Sequence, residues 1–355
     1  MTASTSWAVL ATGGIAQAFA TCVRHASGAT IASVVSRGEA SARAFASRFG
    51  VPHATTDLDA ALERVDALYV ATPHPMHGPP VRKALERGVA VLCEKPMAMT
   101  AAEAQALCEL ARERQTFLME AVWTRFVPAV REAHRLIAGG RIGAVRRLCA
   151  EFAIAAPFDH AHYGAAHRLY APDLGGGALH DLGVYPIHAA LAFLGHPDAV
   201  TGSWCAAPTG VDAEADLRLD YADGRVAYLT CGFGGAGANI CVVEGDRGSI
   251  VLDATFIGAP RLWFVPNRLA PLWGFGRTGG WAARFRRMAR RTPLPGVRRI
   301  DMPFPDEGLQ FEITAAGEAI RGGLVEHPLA PHADTVKALK VIEEVLAQPG
   351  NGPPN

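Results

Sequence analysis

The first third of the chain alternates short apolar runs with stretches of helical period, and this alternation constrains the fold most. It is typical of βαβ units around a parallel sheet. The predicted strands are 7–11, 30–35, 67–71, 89–93 and 117–119. The predicted helices are 14–25, 38–49, 76–87 and 101–115, the last starting at a capping box of Thr100 and Glu103. The pattern over residues 1–121 therefore predicts a doubly wound α/β domain.

The pattern changes after residue 121, where turn pairs and alternating runs predict a mainly antiparallel open sheet. The predicted strands are 145–155, 199–205, 213–220, 225–233, 239–244 and 249–253, and the helices are 127–138, 176–194 and 306–321. We expect a second α+β domain over 122–332. A helix at 333–347 is placed to pack back on the first domain, and 348–355 is expected to be a disordered tail.

Composition excludes several functional classes. The 355 residues carry 34 Lys or Arg and 34 Asp or Glu, so no net charge attracts nucleic acid or an anionic membrane. Seven scattered cysteines without CxxC spacing indicate buried thiols in a reducing compartment. No run is long enough for a membrane helix, and the N-terminus lacks the basic start of a secretory signal. We expect a cytoplasmic protein with a small-molecule partner.

The first βα turn reads ATGGIA over residues 11–16. Backbone N–H groups and a helix N-terminus at such a turn can face a dinucleotide pyrophosphate. Gly13 and Ala16 match the template GxGxxG/A, whereas Ala11 replaces its first glycine. We expect cofactor contacts from the turn residues Thr12, Gly13, Gly14 and Ile15. A tight turn without a ligand is the alternative.

The second predicted strand ends at Ser36 and Arg37, where an NAD enzyme would carry an acidic residue for the ribose 2′-hydroxyl. A hydroxyl and a guanidinium suit a 2′-phosphate instead, because arginine binds phosphate through a planar fork of donors. The sequence therefore predicts NADP, with NAD as the alternative cofactor. A solvated surface arginine would also explain Arg37.

Two further segments carry candidate catalytic residues. Lys95 follows a strand end in Glu94-Lys95-Pro96, and Asp181 and Tyr185 follow a triple glycine at 175–177 with helical spacing. Hydride transfer between an alcohol and a carbonyl needs a proton carrier and a positive charge near the oxygen. Tyr185 could carry the proton if Lys95 lowers its pKa from about 10. In the alternative interpretation Asp181 only caps the helix and Tyr185 only packs.

Several motifs in order resemble the glucose-fructose oxidoreductase, inositol dehydrogenase and rhizopine catabolism family, Gfo/Idh/MocA, of NAD(P)-dependent oxidoreductases. They are ATGGIA at 11–16, ATPHPMH at 71–77, CEKP at 93–96, MEAVWTRFVP at 119–128 and GGGALHDLGVYPIH at 175–188. The last two look most like the branch of dimeric dihydrodiol dehydrogenases, xylose dehydrogenases and glucose-fructose oxidoreductase.

The resemblance implies a catalytic trio of Lys95, Asp181 and Tyr185, with the Lys95-Pro96 peptide in cis. It also implies that Trp123 and Arg125 border the nicotinamide and the substrate. Further cofactor contacts are expected from Thr72, Pro73, His77, Glu94 and Arg125, and further substrate contacts from Phe152, Phe158, His162 and Arg168. In the family, the second sheet pairs subunits into dimers or tetramers.

Two other features are given a structural interpretation. The pairs His74-x-x-His77 and His160-x-His162, with His167, lack a recognised zinc spacing, so no metal is expected. The His160–His167 group is expected to form a wall of the substrate cleft. The basic, aromatic stretch 266–299 departs from the family and is interpreted as an insertion over the sheet or cleft, with a membrane-surface helix as the alternative.

The sequence thus predicts an oxidoreductase that transfers a hydride between NADP(H) and a CH–OH or carbonyl carbon of a sugar, polyol or cyclic diol. Two alternatives stay open, a redox-neutral glycoside hydrolase that uses the same site and a non-catalytic NADP-sensing regulator. A homodimer or homotetramer is expected.

Overall fold

A six-stranded parallel sheet forms the centre of the first domain, in the order β3-β2-β1-β4-β5-β6. The computed structural model describes residues 4–253, 255–269 and 295–351. The strands are β1 (Thr5–Leu10), β2 (Ala29–Val35), β3 (His53–Thr55), β4 (Ala67–Val70), β5 (Ala90–Glu94) and β6 (Leu118–Ala121). The helices are α1 (Gly14–Val23), α2 (Glu39–Phe49), α3 (Leu58–Leu62), α4 (Gly78–Glu86) and α5 (Ala101–Glu113).

The strands β1, β4, β5 and β6 are buried almost throughout, as a sheet covered by helices on both faces requires. Two elements of the first domain were not predicted from the sequence, namely β3 and α3. Both are short, and β3 is a partly exposed edge strand of three residues without an apolar run. The helix α3 has five residues and depends on the side chain of Asp57, which accepts hydrogen bonds from the N–H groups of Asp59 and Ala60.

An eight-stranded sheet forms the second domain, in the order β14-β13-β12-β11-β7-β10-β9-β8. Its pairs are antiparallel except β7 with β10, which run parallel. The predicted fold class is therefore confirmed. The strands are β7 (Val145–Ala153), β8 (Ala199–Ala206), β9 (Asp212–Asp220), β10 (Val226–Gly232), β11 (Cys241–Gly245), β12 (Gly248–Leu252), β13 (Arg261–Pro266) and β14 (Arg298–Asp301).

Further helices pack on one or both domains. They are α6 (Pro128–Ala138), α7 (Val184–Leu194), α8 (Leu309–Arg321) and α9 (His332–Leu346). The helix α7 packs on β7 and β10, whereas α9 packs on α5 and β6 of the first domain and on α7 and β8 of the second. The segment near the C-terminus thus contacts both units. Within the described ranges, no helix is both long and apolar enough to cross a bilayer.

Two sequence-based boundaries are corrected. The expected disordered tail is ordered as far as Asn351, because Asn351 bonds the free edge of β8, giving its N–H to Trp204 O at 2.8 Å and accepting from Ala206 N at 3.1 Å. The ends of the stretch 266–299 belong to the sheet, since β13 pairs with β14. Most of that stretch, residues 270–294, lies outside the described residues.

Candidate active site

The first βα turn leaves the N-terminus of α1 open. Ala11 has a φ of 94° and donates its N–H to Val35 O at 2.9 Å, which bends the chain out of β1. A Cβ atom built on Gly13 or Gly14 would meet no atom within 4 Å. The protein's own packing therefore does not explain these glycines. Close approach of a ligand to the backbone does.

A cavity of ≈ 640 Å³ begins at this turn and follows the carboxyl ends of β1, β2, β4 and β5. In an open α/β sheet this edge is where ligands bind. Four lining residues come from the second domain, so the cavity is a cleft between the domains. The lining residues are Leu10, Ala11, Thr12, Gly13, Gly14, Ile15, Val35, Ser36, Arg37, Ala71, Thr72, Pro73, His74, Met76, Glu94, Lys95, Arg168, Leu174, Asp181 and Tyr185.

The end of the cleft at β2 carries a free guanidinium. Arg37 is exposed and lines the cleft, and its side chain has no hydrogen-bond or ion-pair partner among the described residues. Ser36 Oγ lies 2.7 Å from Ser41 Oγ, which donates to Gly38 O. The acidic side chains that line the cleft, Glu94 and Asp181, stand beyond β1 and β4 or in the second domain. This end of the cleft therefore suits an anion such as a ribose 2′-phosphate.

Lys95 stands at the centre of the buried charge in the cleft. The Lys95-Pro96 peptide is cis. Lys95 Nζ donates to Asp181 O at 2.6 Å and lies 3.4 Å from Asp181 Oδ1 and 4.7 Å from the ring centre of Tyr185. Burial opposes its charge, but Tyr185, Asp181 and Glu94 together raise the pKa of Lys95 above its ordinary value. Lys95 is therefore a buried ammonium at neutral pH.

Asp181 shares one carboxylate oxygen between two cations. Its Oδ1 also accepts from Arg168 at 2.9 Å, and the side chain of Arg168 is 61% exposed at the mouth of the cleft. Burial alone would raise the pKa of Asp181, but Lys95 and Arg168 hold it well below its usual range. Asp181 is therefore an anion that orients Lys95 and can accept a hydrogen bond from a substrate hydroxyl.

Tyr185 completes the trio expected from the sequence. Its ring is buried, its hydroxyl lies 3.4 Å from Trp123 Nε1, and the edge-to-face ring of Phe152 is 5.5 Å away. Burial raises the pKa of Tyr185 above its ordinary value even though Lys95 opposes the shift. The expectation of a lowered pKa is thus corrected, because removing the phenolate from water outweighs one nearby ammonium.

A buried carboxyl group holds the segment that carries Asp181. Residues Leu179–Gly183 form a π-helical turn that leads into α7. Asp212 Oδ2, from β9, accepts from Leu179 N at 2.6 Å. Gly177 has a φ of 126°, and a Cβ there would lie 2.2 Å from Asp212 Oδ1. Burial raises the pKa of Asp212 to about 7.

The structure brings the predicted turn residues, Ser36, Arg37, Thr72, Pro73, Glu94 and Arg168 to the cleft but leaves other expected contacts off its wall. His77 is buried between Pro96 O at 2.9 Å and Thr72 O at 2.8 Å, and so ties two loops together. Arg125 is buried in hydrogen bonds with other parts of the protein. Trp123 and Phe152 reach the site through Tyr185.

The loop before the triple glycine lies largely outside the cleft wall. His162 is bonded to Asp159 at 2.7 Å, its side chain is 76% exposed, and it does not line the cleft. Phe158 packs edge-to-face on His160 and Tyr170. In the described part of the chain, no group of three or more His, Cys, Asp or Glu side chains is arranged to hold a metal ion.

Sequence reasoning missed His74, which lines the cleft beside the trio. Its Nδ1 lies 3.1 Å from Gly175 O, so Nδ1 donates and Nε2 is left as an acceptor. Burial lowers the pKa of His74 to about 3, and the ring is therefore neutral. Its position just after β4, at the ligand edge of the sheet, is the sequence signal that could have identified it.

Comparisons with known proteins agree with this geometry. The oxidoreductase family GFO_IDH_MocA, with an NAD-binding Rossmann fold, matches residues 5–122, and the GFO/IDH/MocA C-terminal domain matches residues 130–251. A trans-1,2-dihydrobenzene-1,2-diol dehydrogenase of Mus musculus is 30% identical over 95% of both chains. The chain belongs to this oxidoreductase family.

Other relatives of the protein are named for different substrates. The D-xylose 1-dehydrogenase (NADP(+)) of Hypocrea jecorina is 30% identical over 97% of this chain and 92% of its own. Among solved structures, the 3-ketoreductase KijD10 of Actinomadura kijaniata, in complex with NADP and TDP-benzene, is 25% identical over 99% of both chains with a TM-score of 0.78. The protein with this fold and cleft is thus an NAD(P)-dependent oxidoreductase of the type that acts on CH–OH groups.

Proposed function

We propose that the protein transfers a hydride between NADP(H) and a CH–OH or carbonyl carbon of a sugar, polyol or cyclic diol. One observation carries this proposal: the ammonium of Lys95 lies between Asp181 and the ring of Tyr185 in the cleft onto which the N-terminus of α1 opens. The named activities of the relatives, on xylose and on a dihydrodiol, support the substrate class.

The cofactor fits the cleft at two places. Gly13 and Gly14 leave room for a pyrophosphate at the N-terminus of α1, and Ser36 with the exposed Arg37 would bind a 2′-phosphate. When bound, the nicotinamide supplies the hydride acceptor or donor. The solved complex of the 3-ketoreductase with NADP supports the choice of NADP over NAD.

Lys95, Asp181 and Tyr185 have three different roles in the proposed reaction. The raised pKa of Tyr185 keeps its hydroxyl protonated at neutral pH, so it can give a proton to a carbonyl oxygen during reduction. Lys95 stabilises the charge that develops on that oxygen, and Asp181 orients a substrate hydroxyl. Alcohol oxidation needs the tyrosinate instead, and its rate should therefore rise with pH.

A screen of aldoses, inositols and trans-dihydrodiols with NADP and NAD, followed at the nicotinamide absorbance, tests the proposal. The Lys95→Met and Tyr185→Phe variants should each lose about a thousandfold in kcat or more while their NADPH affinity is kept. Near-normal turnover in both variants would refute the roles given to them. Equal rates with NAD and NADP would refute the role of Ser36 and Arg37.

The screen also separates the alternatives. Tightly retained cofactor with product formed and no net NADPH signal would indicate redox-neutral hydrolysis of a glycoside. Cofactor binding without turnover of any compound would indicate a sensor. Pairing of two copies through the second sheet is also proposed, from the resemblance to the family, and the molar mass in solution tests it.

A further inference from the structure

Glu120 contacts both of the segments that carry the proposed catalytic residues. It lies on β6 and is 1% exposed. Its Oε1 accepts from Met97 N at 2.9 Å, two residues after Lys95. Its Oε2 lies 3.0 Å from His188 Nε2, and His188 is three residues after Tyr185 on α7. A single buried carboxylate therefore connects the Lys95 loop to the Tyr185 helix.

Arg125 fixes the other side of His188. One guanidinium nitrogen of Arg125 donates to His188 Nδ1 at 3.1 Å and to His188 O at 3.2 Å. Because Arg125 can only donate, Nδ1 accepts and the ring hydrogen is on Nε2, the atom that lies 3.0 Å from Glu120 Oε2. The other terminal nitrogen donates to Asp334 at 2.6 Å and to Leu329 O at 2.8 Å.

The same arginine reaches the reacting group by a second route. Arg125 belongs to the 3-10 turn Trp123–Arg125, and Trp123 Nε1 lies 3.4 Å from the hydroxyl of Tyr185. Tyr185 is thus held through its own helix by His188 and at its hydroxyl by Trp123. Both contacts depend on the place of Arg125, which is 6% exposed.

Buried ion networks of this kind contribute little stability compared with a well-packed apolar core of the same volume. They do fix geometry, because a buried charge that loses its partner is strongly destabilised. A network that joins the Lys95 loop, the Trp123 turn and the Tyr185 helix is therefore explained better by positioning than by stability.

We propose that Glu120, His188 and Arg125 are positioning residues that set the distance between Lys95 and Tyr185 without touching cofactor or substrate. The inference rests on the proposed roles of Lys95 and Tyr185. It also replaces the cofactor contact expected of Arg125 from the sequence.

The Glu120→Gln variant tests this inference, because it keeps an oxygen for Met97 N and removes the charge that faces His188. We expect kcat to fall by about tenfold or more while the Kd for NADPH stays within about twofold. The pH profile of alcohol oxidation should also shift to higher pH. The groups that act on the Tyr185 hydroxyl are Lys95, Glu94, Asp181 and Trp123, and in a Tyr185 displaced from Lys95 this ammonium would oppose the effect of burial less.

A double-mutant cycle separates positioning from general destabilisation. If Glu120 acts through Tyr185, Glu120→Gln should change the residual single-turnover rate of Tyr185→Phe by less than about twofold. A similar loss in both backgrounds would overturn the inference. Where Glu120→Gln fails to fold, Arg125→Lys, which keeps the charge but not the fork, should give the same pattern.

His332 offers a matched control on β6 and α9, the elements that carry Glu120 and Asp334. It is buried at the start of α9 and bonds Leu118 O of β6 at 2.8 Å, apart from the network. The His332→Asn variant should lower the melting temperature and leave kcat and the pH profile unchanged. Normal kcat in Glu120→Gln, or a parallel loss of NADPH affinity, would overturn the inference. If Lys95→Met and Tyr185→Phe also keep turnover, the proposed function fails instead.

Discussion

Ala11 and Gly13 show what the turn between β1 and α1 requires of single residues. Ala11 has the positive φ for which the first glycine of the fingerprint is normally selected, so its Cβ is tolerated at a cost of about 1 kcal/mol. Gly13 has an ordinary φ of −69° and no protein neighbour for a Cβ. The first position therefore shapes the turn, whereas Gly13 keeps space free for a ligand.

Two glycine substitutions should consequently affect different properties, one ligand binding and the other stability. Gly13→Ala should leave the melting temperature unchanged and weaken NADPH binding by about tenfold or more, because the new methyl group occupies the ligand's space. Gly177→Ala should cost about 2 kcal/mol or more of stability, because its Cβ meets Asp212. Thermal unfolding and NADPH fluorescence titration measure the two effects. Normal NADPH binding by folded Gly13→Ala would contradict the interpretation.

At the residue scale, the sequence predicts that Lys95, Asp181 and Tyr185 share one site. It does not predict that Arg125 and His77 lie off the cleft wall. Lys95, Asp181 and Tyr185 come together because each follows a recognisable strand end or glycine turn. Arg125 and His77 follow the same rule, yet hydrogen bonds to other parts of the protein turn them away from the cleft wall. The orientation of such a side chain depends on hydrogen-bond partners that are distant in the chain, such as Asp334. The local sequence pattern does not predict these partners.

At the scale of elements, the turn before α7 differs most from expectation. The spacing of Asp181 and Tyr185 predicts one continuous α-helix over 176–194. Positive φ angles at Gly175 and Gly177 delay the helix, and the turn Leu179–Gly183 is π-helical. The carboxyl group that holds this turn comes from β9, so periodicity within the segment could not reveal it.

Asp212 should make this element sensitive to pH. Its pKa is about 7 in the folded protein against an ordinary value of 3.8. Folding therefore binds a proton, and the stabilisation is complete below about pH 4 and lost as pH rises through 7. Asp212→Asn keeps an acceptor for Leu179 N and cannot ionise. Its stability relative to wild type should increase by up to about 4 kcal/mol from pH 4 to pH 8.

Denaturant unfolding at several pH values measures this difference. The matched control is Asp216→Asn, an exposed residue on the same strand, β9. A pH-independent difference between Asp212→Asn and wild type would show that Asp212 is charged in the folded state.

At the scale of the whole molecule, the cleft is built by both domains. The first contributes the turn between β1 and α1, Arg37 and Lys95, and the second contributes Arg168, Asp181 and Tyr185. The parallel class of the first sheet and the mainly antiparallel class of the second follow from sequence patterns. The strands β13 and β14 were not predicted, because they flank the unusual stretch 266–299 and pair across it.

A ligand in such a cleft should stabilise both domains together. NADPH at 100 times its Kd should add about 2.7 kcal/mol and raise the melting temperature of one cooperative transition. NAD at the same concentration should have a smaller effect, and Gly13→Ala should reduce the NADPH stabilisation by about half or more. Differential scanning calorimetry measures it. Two transitions, of which NADPH moves only one, would contradict a cleft shared by both domains.

The position of Asp334 in α9 has a consequence for synthesis of the chain. Every residue that lines the cleft is made before Asp334, which holds Arg125. A nascent chain thus contains every strand of the first sheet while Arg125 still lacks its carboxylate. Chains cut short before α9 would lack both this carboxylate and the helix that packs on α5 and β6, so the last helix to be translated completes the support of both domains.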